Sequence, residues 1–191
     1  MRQYRITKYD PKYRVNGAYT RDEWTSISDV GKTYDGRPFN MADYERAEQQ
    51  HIDFLCSLAE RDGAFPLTVR AYEQSGVFEQ PSLEGCSISP AVLPDLLRRI
   101  LREECWCCLE SKDFFIHFGY EYYLYVGCSF TQEGIAALAA DHALFAEHGG
   151  MRDGAGDVQM SQALVKRDGR MEIVDQSAGL LLEASAPEFH Q

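Results

Sequence analysis

The stretch that decides the fold is Cys105-Trp106-Cys107-Cys108-Leu109, Phe114-Phe115-Ile116-His117-Phe118 and Tyr122-Tyr123-Leu124-Tyr125-Val126-Gly127-Cys128, interrupted by Ser111-Lys112-Asp113 and by Gly119-Tyr120-Glu121. Three short apolar and aromatic runs separated by turn residues predict an antiparallel meander. Seven of the twelve residues from Phe114 to Tyr125 are aromatic, against 12% in the whole chain, so this sheet is expected to carry the core.

Working outward, the helical signals flank that meander. Upstream, Asn40 is a capping residue, Asp43 places an acid in the first turn and Gly63 supplies a stop. Between them Tyr44, Ala47, His51, Phe54, Leu55 and Leu58 recur at helical spacing and make one apolar stripe. Leu67 to Tyr72 alternates as a strand, and Asp95 to Glu104 is amphipathic and reads as a second helix, opened either by Ser89-Pro90 or by Pro94. Downstream, the alanine-rich run inside Thr131–His148 predicts a third helix ended by Gly149-Gly150. At the N-terminus Tyr4, Ile6 and Lys8 share one face of a strand over Arg2–Tyr9, which Pro11 ends. Residues 10–38 mix turn formers with Tyr13, Tyr19 and Trp24 and read as an ordered, packed connection.

The resulting order, β-α-β-α-β-β-β-α, predicts an α+β fold in which an antiparallel sheet, the aromatic-rich meander, has two or three helices packed on one face. Residues 1–149 are expected to form a single domain. After Gly150 there are no cysteines and one aromatic, Phe189. Residues 150–191 therefore read as a C-terminal extension, with a peripheral hairpin over Leu164-Val165 and Met171 to Val174 and a glycine-rich linker over Gly150 to Gly156.

Composition bounds the function. At 191 residues with 45% hydrophobic and 26% charged residues the chain is of ordinary globular make-up. Its longest apolar runs are too short to span a bilayer, and Met1-Arg2-Gln3-Tyr4-Arg5 leads into no signal-peptide core, so a cytoplasmic setting without membrane contact is expected. Cys56, Cys86, Cys105, Cys107, Cys108 and Cys128 are then expected as reduced thiols. Thirty acidic against nineteen basic residues give a formal charge of −11, which repels phosphate backbones and favours a basic protein partner over nucleic acid.

Motifs narrow it further. Cys105 and Cys108 have C-x-x-C spacing, but no second such pair completes a four-ligand zinc site, so the run reads as small apolar core residues and no metal or cofactor is expected. No phosphate-binding loop, H-E-x-x-H or G-x-S-x-G is present. The aromatic meander lacks the basic surroundings of a base-stacking platform, with no Lys or Arg from Phe114 to Phe130.

Two runs, Asp22-Glu23-Trp24-Thr25-Ser26-Ile27-Ser28-Asp29-Val30-Gly31 and Leu101-Arg102-Glu103-Glu104-Cys105-Trp106 with His117-Phe118-Gly119-Tyr120-Glu121-Tyr122-Tyr123, resemble segments of a family of small uncharacterised bacterial proteins. The resemblance implies an intracellular bacterial setting and brings no activity, cofactor or catalytic residue. The expectation is a non-enzymatic protein-binding protein, an immunity protein or antitoxin that covers the active site of a basic toxin. Its binding residues are expected among Asp22, Glu23, Trp24, Asp29, His117, Tyr120 and Tyr122, with Trp24 as an anchor in an acidic loop. The alternative is a small enzyme or ligand-binding protein using His117 and the cysteines of the sheet.

Overall fold

The computed structural model describes residues 1–16, 18–75 and 81–148, together with the backbone of 162–167 and 170–175. The chain divides into two compact units, Met1–Gly150 and Met151–Gln191. In chain order the elements of the first unit begin with β1 (Arg2–Thr7), a 3-10 turn at Pro11–Tyr13, β2 (Arg14–Val15), β3 (Ala18–Tyr19) and a second 3-10 turn at Ile27–Asp29. Next come β4 (Thr33–Tyr34), β5 (Arg37–Pro38), α1 (Met41–Arg61), β6 (Leu67–Gln74), β7 (Ser87–Ile88) and α2 (Leu93–Leu101). The meander β8 (Cys105–Ser111), β9 (Phe114–Phe118) and β10 (Leu124–Cys128) follows, and then α3 (Gln132–Asp141) and β11 (Phe145–His148). In the second unit β12 (Gln162–Arg167) pairs antiparallel with β13 (Arg170–Asp175). The glycine-rich run Gly150 to Gly156 lies outside the described residues.

Seven strands form one antiparallel sheet in the order β11-β1-β10-β9-β8-β6-β7. The three helices pack on one face of it, so the architecture is α+β. Alternation decides what each face holds. Tyr4 and Ile6 of β1, Leu67 and Val69 of β6, Cys105, Cys107 and Leu109 of β8, Phe114, Ile116 and Phe118 of β9, and Leu124, Val126 and Cys128 of β10 all join the core. From α1, Phe54, Leu55 and Leu58 meet them, and from α2 Leu93, Leu97 and Ile100. Cys108, which alternation sends to the opposite face, is buried too. That face carries Arg5, Trp106, Glu110, Phe115, His117 and Tyr125, with Gly127 making room: a Cβ there would lie 2.4 Å from the Phe115 ring.

Helix α1 begins where its cap demands, Asn40 Oδ1 accepting from the Asp43 amide at 3.0 Å, and ends before Gly63 at φ +67°. Its buried Glu48 is gripped by Arg102, Nε at 2.6 Å and a terminal nitrogen at 2.9 Å, which ties α1 to the end of α2.

One expected element is corrected. The third helix does not run to His148: it stops at Asp141, the chain turns through Ala143 at φ 56°, and Leu144 N–H closes on Ala139 O at 2.8 Å. Phe145–His148 instead becomes β11, pairing antiparallel with β1 from Thr7↔Phe145 to Tyr4↔His148. Without β11 the outer edge of β1 would expose a row of unpaired amides and carbonyls, and this pairing outweighs the helical preference of the preceding alanines.

Candidate functional site

The acidic run around Trp24 is organised by its own hydrogen bonds. Ser26 caps the 3-10 turn Ile27–Asp29, and Asp29 closes a capping box back onto it. Asp29 Oδ2 accepts from the Thr25 amide at 2.7 Å, the Thr25 hydroxyl at 3.2 Å and the Ser26 amide at 3.3 Å, while Lys32 Nζ donates to Oδ1 at 2.6 Å. Burial opposes ionisation of Asp29, but Lys32 and these donors outweigh it and hold the carboxyl well below the usual carboxylate range. Both oxygens are therefore committed to holding the loop. The loop in turn holds Trp24, which stacks on Phe39 at 4.5 Å and meets Tyr122 and Tyr44 edge-on at 5.0 and 5.8 Å.

Tyr122 arrives there by an unusual turn. Between β9 and β10, Tyr123 N–H donates to Tyr120 O at 3.1 Å and Gly119 N–H to Tyr123 O at 2.8 Å. The two central residues, Glu121 and Tyr122, have φ of 56° and 61°, the left-handed pair of a type I′ hairpin without the usual Asn or Gly. This geometry drives Tyr122 into the aromatic nest of Trp24, Tyr44 and His51, leaves Glu121 exposed, and leaves Tyr120 58% exposed. The two runs that carry the sequence resemblance thus meet at the Trp24–Tyr122 ring pair.

Beside that contact lies a cleft of about 190 Å³ lined by Tyr9, Tyr19, Arg21, Asp22, Glu23, Thr25, Glu121 and Tyr123. Its tyrosines form a continuous aromatic wall, Tyr9 lying 4.7 Å from Tyr19 and 5.3 Å from Tyr123 between ring centroids. The Tyr19 hydroxyl donates to Glu23 at 2.6 Å, and Lys8 Nζ reaches the other Glu23 oxygen at 3.4 Å. Lys8 is clamped between two rings, 4.0 Å from the Tyr9 centroid and 4.1 Å from that of Trp24, and burial brings its ammonium down to about 8. Arg14 donates to Glu147 at 2.7 Å and to the Tyr123 hydroxyl at 3.0 Å, and Arg5 donates to the other Glu147 oxygen at 2.6 Å. Arg21 pairs with Asp35. Asp22 and Glu121 are the cleft carboxylates with neither a hydrogen bond nor an ion pair among the described residues.

Of the expected binding residues, the structure brings Asp22, Glu23, Trp24, Tyr120 and Tyr122 into one region and sets Asp29 beneath it as the loop's internal cap. His117 stands elsewhere, on the helix-free face of β9. Its Nε2 lies 2.9 Å from Glu110 Oε1, and its ring lies 4.4 Å from that of Phe115, tilted by 30°. All six cysteines are free thiols. Burial pushes Cys107 and Cys108 up to about 12 and Cys56 and Cys128 up to about 11, so these sulfurs are neutral and weakly nucleophilic. Among the described residues no three His, Cys, Asp or Glu side chains cluster as metal ligands, and no helix is long and apolar enough to cross a membrane.

Six cleft residues escaped sequence reasoning: Tyr9, Tyr19, Arg21, Thr25, Glu121 and Tyr123. The signal that would have found the tyrosines is their density, since residues 4–19 hold four tyrosines and 120–125 another four. No protein family, curated protein or solved structure matches the chain.

Proposed function

We propose that this chain is a non-enzymatic protein-binding protein that docks on a basic partner inside the cell, in the manner of an immunity protein or antitoxin covering a toxin's active site. The observation that carries the reading is the convergence of Asp22–Trp24 with the Gly119–Tyr123 turn around a tyrosine-walled cleft whose Asp22 and Glu121 carboxylates have no hydrogen bond or ion pair among the described residues. Tyrosines supply large contact area at small entropic cost, and unpaired carboxylates steer a cationic surface toward it. The formal charge of −11 extends that attraction to long range. The strained turn adds pre-organisation, because its exposed groups are fixed before a partner arrives.

The test is affinity capture with the tagged full-length chain in extracts of its own cells at low ionic strength. The expected result is a co-purifying protein of basic isoelectric point that loses its own activity in the complex and elutes as salt is raised. Recovery of nothing at low ionic strength, or of a partner held unchanged at about 1 M salt, where the screening length is about 3 Å, overturns the proposal.

A further inference from the structure

Resting on that reading, we propose that the cleft between the Asp22–Thr25 segment and the Gly119–Tyr123 turn is a seat for a single arginine side chain of the partner. Three features argue for a cation, and for arginine in particular. The first is the wall. The ring faces in and around the cleft already hold cations of this chain, Lys8 at 4.0 Å from Tyr9, Arg14 at 5.4 Å from Tyr123 and 5.8 Å from Tyr19, and Arg21 at 4.7 Å from Tyr13. Tyr9, Tyr19 and Tyr123 also line the cleft, so an occupant meets the same rings.

The second feature is the distribution of charge. Glu23 is saturated by Tyr19 and Lys8, Glu147 by Arg5 and Arg14, and Asp35 by Arg21, so each of these carboxylates is neutralised within the fold. Asp22 and Glu121, which both line the cleft, are left without such a partner among the described residues. Two carboxylates contributed by two different lining segments suit a planar fork of five donors better than the point charge of a lysine. The third feature is size. A cleft of about 190 Å³ has room for one guanidinium with its last methylenes.

The experiment titrates the full-length chain with Nα-acetyl-arginine amide and, separately, with Nα-acetyl-lysine amide, following backbone amide resonances. The expected result is saturable shifts centred on Asp22, Glu121 and Tyr123, with a millimolar Kd for the arginine compound and binding about fivefold weaker for the lysine compound. In the double variant Asp22→Asn, Glu121→Gln these shifts vanish. Both side chains are exposed, so the variant keeps its thermal midpoint. Glu60→Gln with Glu133→Gln, which removes two charges from exposed helix positions, leaves the shifts intact. Equal binding of the two compounds, shifts elsewhere on the chain, or equal loss in the two double variants overturns the seat. Failure of arginine binding while a basic partner is still captured removes the seat and leaves the protein-binding reading standing. Arginine binding with no captured partner does the reverse.

Discussion

His51 is fully buried under the Trp24–Tyr122 contact, with Nδ1 2.7 Å from Ala47 O and Nε2 without a hydrogen-bond partner. The carbonyl accepts, so Nδ1 carries a proton. Burial brings its pKa down to about 4, the nearby Lys8 ammonium acting in the same direction and the Ala47 bond against it. Between about 6.5 and 4 the unfolded chain therefore binds a proton at this position that the folded chain does not. The stability contributed by neutral His51 is complete above about 6.5 and is lost as pH falls toward 4, a total of about 3 kcal/mol. Urea unfolding at neutral pH and at mildly acid pH should show a steeper decline for the native chain than for His51→Phe, which keeps the ring volume and cannot protonate. Parallel declines would rule this residue out as their cause. His51 was legible in the sequence only as one apolar-face member of the α1 stripe. Nothing local announces that Tyr122 comes to lie 5.1 Å away, because that contact is made by a turn about seventy positions further along. Asp29 was read as a binding residue, and its role as an internal cap escaped for a related reason: the sequence shows an acid among acids, whereas that role depends on Thr25 and Ser26 turning their amides toward it.

The turn joining β9 to β10 sets the proposed binding against stability. Non-glycine residues in the left-handed region cost about 1–2 kcal/mol each, and here Glu121 and Tyr122 both occupy it. Tyr122 offsets its share by burying a ring against Trp24. Glu121 is exposed and lines the cleft, with no ring burial to offset its share. Glu121→Asn should accordingly raise stability by about 0.5–1 kcal/mol, since asparagine tolerates this backbone, while weakening capture of a basic partner. Thermal melts and capture should move in opposite directions; a variant that melts lower speaks against the strain account. At this scale the sequence was readable wherever one local signal acted alone. The Asn40 cap, the Gly63 stop and the alternation of β8 and β9 all needed only nearest neighbours. It misled where tertiary pairing competed with propensity. The alanines that start α3 have nothing to say about Phe145–His148, whose conformation is decided by the open edge of β1 and by Arg5 and Arg14 converging on Glu147.

At the scale of the molecule, the most remote pairing is that of β1. Arg2 pairs with Cys128 and Ile6 with Leu124, so the N-terminal strand enters the sheet between β10 and β11 only after the intervening chain has been brought round. The meander β8-β9-β10, in contrast, is joined by tight turns. Closing the long loop costs entropy before its contacts stabilise anything, so the meander is expected in the folding transition state and β1 is expected to dock after it. Ile6 and Ile116 are both fully buried core residues, one on each side of this divide. Truncation of either to alanine should cost about 2–4 kcal/mol at equilibrium. The kinetic partition should differ. Ile6→Ala should leave the refolding rate nearly unchanged and raise the unfolding rate by roughly 30-fold or more, whereas Ile116→Ala should lose much of its stability as slower refolding. Stopped-flow refolding and unfolding in urea measure both limbs. Slow refolding in Ile6→Ala would mean that β1 pairs with β10 before the barrier, and the order of assembly inferred from loop closure would have to be reversed.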